Sequence, residues 1–304
     1  MLFLWVCAFV EQYACFVIKC SIMNSTYVLT ISCADQSSII AAVTGCLAQN
    51  GCNILNLAQH TATDINMFFC RIKFEATDSF DLEAFKKSFA KLEEQYKLTW
   101  NVFDMSKKKR VAILVSKTSH CLYELLLKYA DGELDCEIPV IISNHPDLAH
   151  VATSFHIPFF QVDTKKGKAE YEADLNEILA QYNIELVVLA RYMQVMSADF
   201  CEKWNHRCIN IHHGFLPAFQ GAKPYHQAWN KGVKIIGATG HFATQDLDQG
   251  PIIYQDVIRV NDTRSIDEFI RMGKDVERRV LYEAVRRYLA HSIFVYQSRT
   301  FVIE

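Results

Sequence analysis

An amide and an imidazole lie two residues apart in an otherwise apolar stretch, 208–219, which reads C-I-N-I-H-H-G-F-L-P-A-F. Side chains alternate faces along a strand, so Asn210 and His212 share one face and His213 projects from the other. An amide donor beside an imidazole can hold a carbonyl oxygen as it becomes an oxyanion. The stretch therefore predicts carbonyl chemistry. The alternative, that these are hydrogen-bonded polar groups of a core, stays open and is favoured for His213.

A second candidate stretch is G-H-F-A-T-Q-D-L-D-Q-G-P-I-I at 240–253, a turn between two apolar runs. Turn aspartates usually cap backbone amides, and this role is expected of Asp246. Asp248 becomes a chemical candidate in combination with His212. A carboxylate brought to an imidazole can orient the ring, raise its pKa and pass a proton.

The elements that must position these residues alternate between strands and helices. Strands are predicted at 110–116, 137–143, 158–162, 186–191, 208–213, 234–244 and 251–260. Helices are predicted at 119–130, 146–156, 168–182, 197–204 and 265–290, before a small hairpin at 293–303. Continuous apolar strands between helices indicate a Rossmann-like, mostly parallel, doubly wound α/β sheet. Such a sheet binds ligands at the carboxyl ends of its strands, where Asn210 and His212 are expected.

The N-terminal part follows a different pattern. Strands are predicted at 26–33, 53–61, 67–75 and 98–103, with helices at 38–51 and 80–96. Ser37 or Ser38 is the expected cap of the first helix. The order β-α-β-β-α-β predicts a ferredoxin-like module.

The predicted domain boundaries follow from these two patterns. The N-terminal module spans 23–105, the sequence S-K-K-K-R at 106–110 is a solvated linker, and the catalytic domain spans 111–304. Residues 1–22 form an apolar extension that Glu11 interrupts, and its run of about ten apolar residues is too short to span a bilayer. A targeting segment, an ordered extra element and an extension that precedes a true start at Met23 all remain open for these residues.

Composition narrows the class of protein. The chain has 304 residues, 51% of them apolar, and a formal net charge of −3. That balance offers no basic field for nucleic acid, and no membrane partner is predicted. The 11 cysteines form no C-x-x-C pair, so we interpret them as reduced thiols of a cytoplasmic protein.

The segment N-I-H-H-G-F-L-P-A-F-Q-G-A-K-P-Y-H-Q-A, followed by H-F-A-T-Q-D-L-D-Q-G-P-I-I, resembles the signature of the folate-dependent formyltransferases. The resemblance implies that Asn210, His212 and Asp248 form the catalytic group and that His241 belongs to the surrounding site. It also implies that the pterin docks on main chain near 191–197 and 245–248. The further substrate-binding residues expected on this basis are Arg191, Tyr192, Met193, Val195, Gln245, Asp246 and Leu247.

Over about 26–304 the chain resembles the formyltetrahydrofolate deformylase family, including L-V-S-K-T-S-H-C-L-Y-E-L-L and V-V-L-A-R-Y-M-Q-V-M-S. The implied reaction hydrolyses 10-formyltetrahydrofolate to formate and tetrahydrofolate, supplying formate for one-carbon metabolism and purine biosynthesis. The folate is then a substrate, and neither a cofactor nor a metal is expected. The N-terminal module resembles an ACT regulatory domain, which implies an amino-acid effector and a homo-oligomer.

The first strand of the catalytic domain ends in V-S-K-T-S-H-C, without glycine. Judged by the family resemblance, a glycinamide ribonucleotide transferase has a glycine-rich loop at this position. Its main-chain N–H groups, not covered by side chains, face a phosphate. The loop therefore favours hydrolysis over transfer. Three residues depart from the family pattern: Gly214 replaces Ser, Gly240 replaces Ala, and Ser38 replaces the glycine of D-x-x-G in the ACT module, where its Cβ could obstruct an effector.

Three other functions stay open at this point. A metallohydrolase could use His212, His213, His226, His241 and Asp248, although adjacent histidines project to opposite faces and no H-E-x-x-H is present. A non-catalytic metabolite-sensing protein would keep the fold without the activity. A formyl transferase could act on an unrecognised amine acceptor, and it would be distinguished from a hydrolase because only the hydrolase releases free formate without an added acceptor.

Overall fold

The computed structural model describes residues 25–77, 80–219, 221 and 223–304. The predicted extension at 1–22 and the alternative start at Met23 lie outside the described residues. The chain divides into two compact units, one reaching to Lys107 and including Ile303 and Glu304, the other spanning Lys108–Val302.

The first unit is a four-stranded antiparallel sheet with two helices. Its strands are β1 (Ser25–Ala34), β2 (Cys52–Ala62), β3 (Met67–Ala76) and β4 (Thr99–Asp104), and its helices are α1 (Ile39–Gln49) and α2 (Leu82–Tyr96). The strand order β2-β3-β1-β4 is that of a ferredoxin-like fold, as the sequence predicted. The core is aromatic, with Phe74, Phe85 and Phe89 fully buried.

The two helix starts of this unit differ. Asp81 caps α2, since its carboxylate accepts from the main-chain N–H groups of Glu83 and Ala84. Ser38 precedes α1 with a left-handed φ of 71°, and its side chain makes no capping bond. The prediction that Ser38 caps this helix is therefore wrong, because its backbone leaves the extended conformation from which a serine hydroxyl reaches the N2 or N3 amide.

The second unit carries the remaining elements. Its strands are β5 (Lys109–Val115), β6 (Cys136–Ser143), β7 (Phe159–Gln161), β8 (Leu186–Leu189), β9 (Cys208–His212), β10 (Ile235–Phe242), β11 (Ile252–Arg259), β12 (Ile293–Tyr296) and β13 (Arg299–Val302). Its helices are α3 (His120–Ala130), α4 (Ala149–Ser154), α5 (Lys168–Gln181), α6 (Ala198–Lys203), α7 (Pro224–Asn230) and α8 (Ile266–Leu289).

A seven-stranded sheet forms the centre of this unit, in the order β11-β10-β9-β8-β5-β6-β7. Strands β5 to β9 pair in parallel, and β10 and β11 continue the sheet in antiparallel orientation. Apolar clusters cover both faces: Ile113 and Val188 belong to one, and Leu114 and Val187 to the other. The doubly wound, mostly parallel α/β prediction is confirmed.

The element boundaries refine the predictions in three places. Strand β5 begins at Lys109, so the last two residues of the predicted linker belong to the sheet. Strand β8 ends at Leu189 and leaves Arg191 in the following loop. Helix α7 was missed, because its seven residues are too few for a helical period to emerge. Within the described ranges, no helix is both long and apolar enough to cross a membrane.

Candidate active site

Asn210 and His212 lie at the carboxyl end of β9, next to the point where the sheet changes from parallel to antiparallel. The His212 ring is 4% exposed and has an acceptor on each side. Its Nδ1 is 3.1 Å from Asp248 Oδ2, and its Nε2 is 3.3 Å from the Phe219 carbonyl oxygen. Because carboxylate and carbonyl oxygens only accept, both ring nitrogens donate together only when the ring carries both protons.

Asp248 reaches His212 from a tight turn between β10 and β11. Its backbone is left-handed, with φ of 59°, a conformation that aspartate tolerates better than most residues. Gly250 allows the chain to return, since a Cβ there would lie 1.7 Å from the Phe242 carbonyl oxygen. The turn thus places a carboxylate that is only 6% exposed beside the imidazole.

Two opposing effects act on the Asp248 carboxyl group. Burial raises its pKa, but the His212 hydrogen bond, the charge of His212 and the Gly221 main-chain N–H together outweigh burial. The pKa of Asp248 therefore lies below its ordinary value. The group is a carboxylate at neutral pH, ready to accept a proton from a neighbour.

His241 orients the Asn210 amide from the adjacent strand, where the two residues are direct cross-strand partners. Its Nδ1 donates to the Phe242 carbonyl oxygen at 2.9 Å, which leaves Nε2 as an acceptor. That Nε2 lies 3.1 Å from Asn210 Nδ2. Burial lowers the pKa of His241, so the ring stays neutral and keeps this acceptor. One Asn210 N–H is thereby held, and the other is left for a ligand.

The loop after β9 is tied to the antiparallel strands. Thr239 is fully buried, accepts from the Leu216 N–H at 3.0 Å and donates to the Gly214 carbonyl at 2.9 Å. Gln255 of β11 donates to the Leu216 carbonyl at 2.9 Å. Gly214 leaves little room beside the histidine: a Cβ there would lie 2.8 Å from His212 Nε2. Glycine at this position keeps the Nε2 side of the ring accessible.

A cavity of about 500 Å³ opens over these groups. Of the residues predicted from the sequence, those that line it are Asn210, His212, Asp248, His241, Arg191, Tyr192, Met193, Val195 and Leu247. Gln245 and Asp246 are exposed on the turn and do not line the cavity. The lining also includes Gln194 and Met196, within the predicted stretch 191–197, and Thr244 and Lys223, which sequence reasoning missed.

The loop 191–197 forms one wall of the cavity and is fixed at several points. The Met193 N–H donates to Ser116 Oγ at 3.0 Å, and Ser116 donates to Asn144 Oδ1 at 2.7 Å. Ser197 binds the buried carboxylate of Glu172 through both its N–H and its hydroxyl. Met193 and Val195 remain 59% and 51% exposed. A rigid loop thus presents apolar side chains to the cavity.

Of the residues considered for a metallohydrolase, His212, His213, His241 and Asp248 line the cavity, but they do not form one of the sets of described residues whose ligand atoms could hold a metal ion together. His226 is exposed on α7 and does not line the cavity. The set of described residues that could hold a metal ion lies elsewhere, where ligand atoms of His120, Cys121 and Glu277 fall within 4.8 Å of one another. Burial raises the pKa of the Cys121 thiol well above its ordinary value, and thiols bind metals as thiolates. This set fits a metal ion poorly.

Known proteins are similar to most of the chain. The Formyl transferase family matches residues 109–285. A formyltetrahydrofolate deformylase from Synechocystis sp. is 46% identical over 282 residues, covering 92% of this chain and 99% of the relative. The crystal structure of a formyltetrahydrofolate deformylase from Pseudomonas syringae pv. tomato has a TM-score of 0.88 at 39% identity, covering 97% and 99% of the two chains.

The chain belongs to the formyltetrahydrofolate deformylase family. A glycinamide ribonucleotide transformylase from Symbiobacterium toebii is 27% identical with a TM-score of 0.63, and it covers 65% of this chain and 95% of its own. The deformylases thus match both units, whereas the transformylase leaves much of this chain unmatched. The family match confirms the resemblance predicted from N-I-H-H-G-F-L-P-A-F and L-D-Q-G-P.

Proposed function

We propose that this member of the deformylase family hydrolyses 10-formyltetrahydrofolate to formate and tetrahydrofolate, with Asn210, His212 and Asp248 as its catalytic residues. The single observation that carries the assignment of residues is the buried pair of His212 and Asp248, 3.1 Å apart, beside an amide at the edge of the cavity. Formate released in this way supplies one-carbon metabolism and purine biosynthesis.

The substrate is placed by the walls of the cavity. The pterin lies against the main chain of 191–196 and against Leu247. The exposed apolar side chains of Met193, Val195 and Leu247 offer contact area. The formyl group then lies over the end of β9. Its oxygen occupies the position between the free Asn210 N–H and His212 Nε2, where it displaces the weak 3.3 Å contact with the Phe219 carbonyl.

Attack by water is the first chemical step. Asp248 Oδ2 is engaged by His212, and Oδ1 is left for a water molecule between His212 and His241. As the water oxygen bonds to the formyl carbon, its proton passes to the carboxylate. Negative charge develops on the formyl oxygen and is held by Asn210 and protonated His212. Donors that face a developing oxyanion each contribute about 3–4 kcal/mol to lowering the barrier.

Collapse of the tetrahedral intermediate is the second step. The bond between the formyl carbon and N10 breaks, and N10 takes a proton from the site while formate leaves. His212 supplies that proton. The formic acid produced then ionises to formate and reprotonates His212, while Asp248 releases to solvent the proton that came from water. General acid–base transfer of this kind contributes about 10²–10⁴ in rate.

The test is an absorbance assay of the full chain with 10-formyltetrahydrofolate in the absence of any amine, together with quantitation of formate. Stoichiometric formate and tetrahydrofolate are expected. Turnover that begins only when an amine is added would refute hydrolysis and indicate a transferase.

We also make proposals about cofactor use, cellular location and domain boundaries for the protein. The folate is the substrate, and the chain uses no cofactor. We place the protein in the cytoplasm, a location supported by cysteines that are all free in the described part of the chain. We propose that the unit reaching to Lys107 is a regulatory domain and that the unit Lys108–Val302 is the catalytic domain.

The ferredoxin-like unit is proposed to act as an ACT regulatory module that takes an amino-acid effector and pairs copies of the chain. Ser38 keeps the left-handed φ of 71° at the position where the family has glycine. Its Cβ faces any effector that approaches main chain there. Isothermal titration with glycine and methionine tests the effector, and light scattering tests the homo-oligomer. An absence of saturable heat would restrict the unit to pairing.

A further inference from the structure

A second cluster of ionisable groups lies beside the candidate site and takes no part in the mechanism above. Its centre is Glu277, which is 1% exposed in the middle of α8. The carboxylate contacts three side chains from three other segments. His120 Nε2 lies 2.9 Å from Oε2, the Tyr225 hydroxyl donates to Oε1 at 2.8 Å, and Arg191 Nε lies 3.3 Å from Oε2.

The cluster carries balanced charge despite its burial. Burial raises the pKa of Glu277, but the His120 hydrogen bond, the charges of Arg191 and His120, and the Tyr225 hydroxyl outweigh it, so the pKa lies below its ordinary value. Glu277 is therefore a carboxylate. Removing one partner of a buried pair leaves an uncompensated charge, which is strongly unfavourable.

Arg191 is the member that connects the cluster to the cavity. Its side chain is 14% exposed, and among the described residues Glu277 is its ion-pair partner. Its Nε is buried without a hydrogen bond, so proximity to Glu277 balances its charge. Its backbone is left-handed, with φ of 64°, a conformation that is unfavourable for most residues. Arg191 is also the first residue of the loop 191–197 that lines the cavity.

The packing around Tyr225 stabilises the contact between its hydroxyl and Glu277. Gly273 lies one turn before Glu277 on α8, and a Cβ there would come within 2.2 Å of the Tyr225 ring. Glycine at this position lets the ring lie against the helix and direct its hydroxyl at Glu277. The Tyr225 ring also lies beside His213 in an edge-to-face arrangement, with ring centroids 6.0 Å apart.

We propose that Glu277 is a positioning residue for folate binding: its buried carboxylate fixes the Arg191 side chain and thereby the loop 191–197 on which the pterin docks. This inference rests on the proposed function. Three points then hold the loop, with Glu277 at its start, Ser116 at Met193 and Glu172 at Ser197. Glu277 touches none of the three proposed catalytic side chains.

The kinetic consequence follows from this separation. If the loop adopts its binding conformation only a tenth of the time, apparent affinity falls about tenfold in proportion to that population. Once the folate is bound, Asn210, His212 and Asp248 are in place on other segments, so turnover at saturation changes little. Loss of Glu277 should therefore raise KM and leave kcat nearly intact, a pattern that general destabilisation of the fold does not produce.

The experiment is a double-mutant cycle in the full chain with Glu277→Gln, Arg191→Gln and the double variant. Each single variant is expected to raise KM for 10-formyltetrahydrofolate about tenfold with kcat within about threefold. Because Glu277 acts through Arg191, the double variant should be no worse than the more affected single one. Glu283→Gln, on the same helix and paired with Arg286, is the matched control and should leave both constants unchanged.

The outcomes separate this inference from the proposed function. KM increases that multiply in the double variant, or a fall in kcat at constant KM, would overturn the positioning role while wild-type formate release still stands. If Glu277→Gln fails to fold, as judged by circular dichroism, Tyr225→Phe and Arg191→Gln decide the matter. A raised KM in both supports the inference, and an unchanged KM in Arg191→Gln refutes it.

Discussion

Replacing Asp248 with asparagine isolates the charge of the proposed catalytic carboxylate. Asparagine has the same shape and tolerates a left-handed backbone almost as readily as aspartate, so the φ of 59° at this position can persist. What changes is the partner of His212 Nδ1, 3.1 Å away. An amide cannot balance the charge of a protonated ring, nor can it accept the proton of the attacking water.

The expected magnitude follows from the burial of the pair. His212 and Asp248 are 4% and 6% exposed, so water does not compensate for the lost interaction. A hydrogen bond to a charged group contributes about 1.5–3 kcal/mol, and general acid–base transfer contributes about 10²–10⁴ in rate. We expect kcat to fall about 10³-fold, which corresponds to about 4 kcal/mol of barrier, with KM within about threefold.

The pH dependence of stability gives an independent check. The folded pKa of Asp248 lies below its ordinary value of 3.8, so its stabilising contribution is complete above that value and is lost as pH falls through the folded pKa. The stability difference between wild type and Asp248→Asn should therefore be constant from about pH 7 to pH 5 with respect to this group, and should shrink only below about pH 4.

The assay is formate release from 10-formyltetrahydrofolate without an amine, with urea unfolding of the same preparations. Asp262→Asn is the matched control, because Asp262 forms a surface ion pair with Lys234 and should leave kcat unchanged. Wild-type kcat in Asp248→Asn would refute the assignment of Asp248. An equal fall in Asp262→Asn would show that the loss is not specific to the site.

Three further predictions concern the neighbouring residues. Gly214→Ala places a Cβ 2.8 Å from His212 Nε2 and should lower kcat at least tenfold, whereas Gly45→Ala, with no atom within 4 Å of the new Cβ, should leave kcat unchanged in the same assay. Asn210→Ala should lower kcat about 10²–10³-fold with KM little changed, and steady-state kinetics that show only a KM effect would contradict an oxyanion role. Burial and the charge of Arg191 lower the pKa of His213 to about 3, so the unfolded chain binds a proton below about pH 6.5 that the folded chain does not. As the pH falls from about 7.5 to about 5, the free energy of unfolding should therefore decrease less in His213→Asn than in the wild type, by up to about 2 kcal/mol in urea unfolding.

Local periodicity was sufficient to predict the scaffold of the site. Apolar runs such as those of β5 and β8 alternate with amphipathic helices, and that pattern is shared by parallel sheets covered on both faces. The carboxyl end of β9 could then be predicted as the ligand site, because ligands bind there in open α/β sheets. The meeting of His212 with Asp248, 36 residues apart in sequence, depended on the resemblance, since no local pattern specifies which turn reaches which strand end.

The Glu277 cluster shows what sequence reasoning could not supply. His120 and Glu277 are 157 positions apart, and nothing in the local sequence of either residue marks it as the partner of the other. A glutamate within a helix usually lies on the solvated face, although Glu277 stands three and four residues before Val280 and Leu281 and therefore shares their apolar face of α8. The signal that could have helped is Gly273, because a glycine in the interior of a long helix usually has a packing reason.

The position of His241 also required the three-dimensional structure, because it depends on the register between two strands. The antiparallel pairing sets His241 directly opposite Asn210, and a shift of one residue would turn its ring to the other face. The Phe242 carbonyl then fixes the Nδ1–H tautomer, and burial keeps the ring neutral. Only this tautomer presents a lone pair to the Asn210 amide, so the register of β10 decides which amide hydrogen remains available for the formyl oxygen. Antiparallel addition of β10 to a parallel sheet is thus part of how the oxyanion donor is aimed.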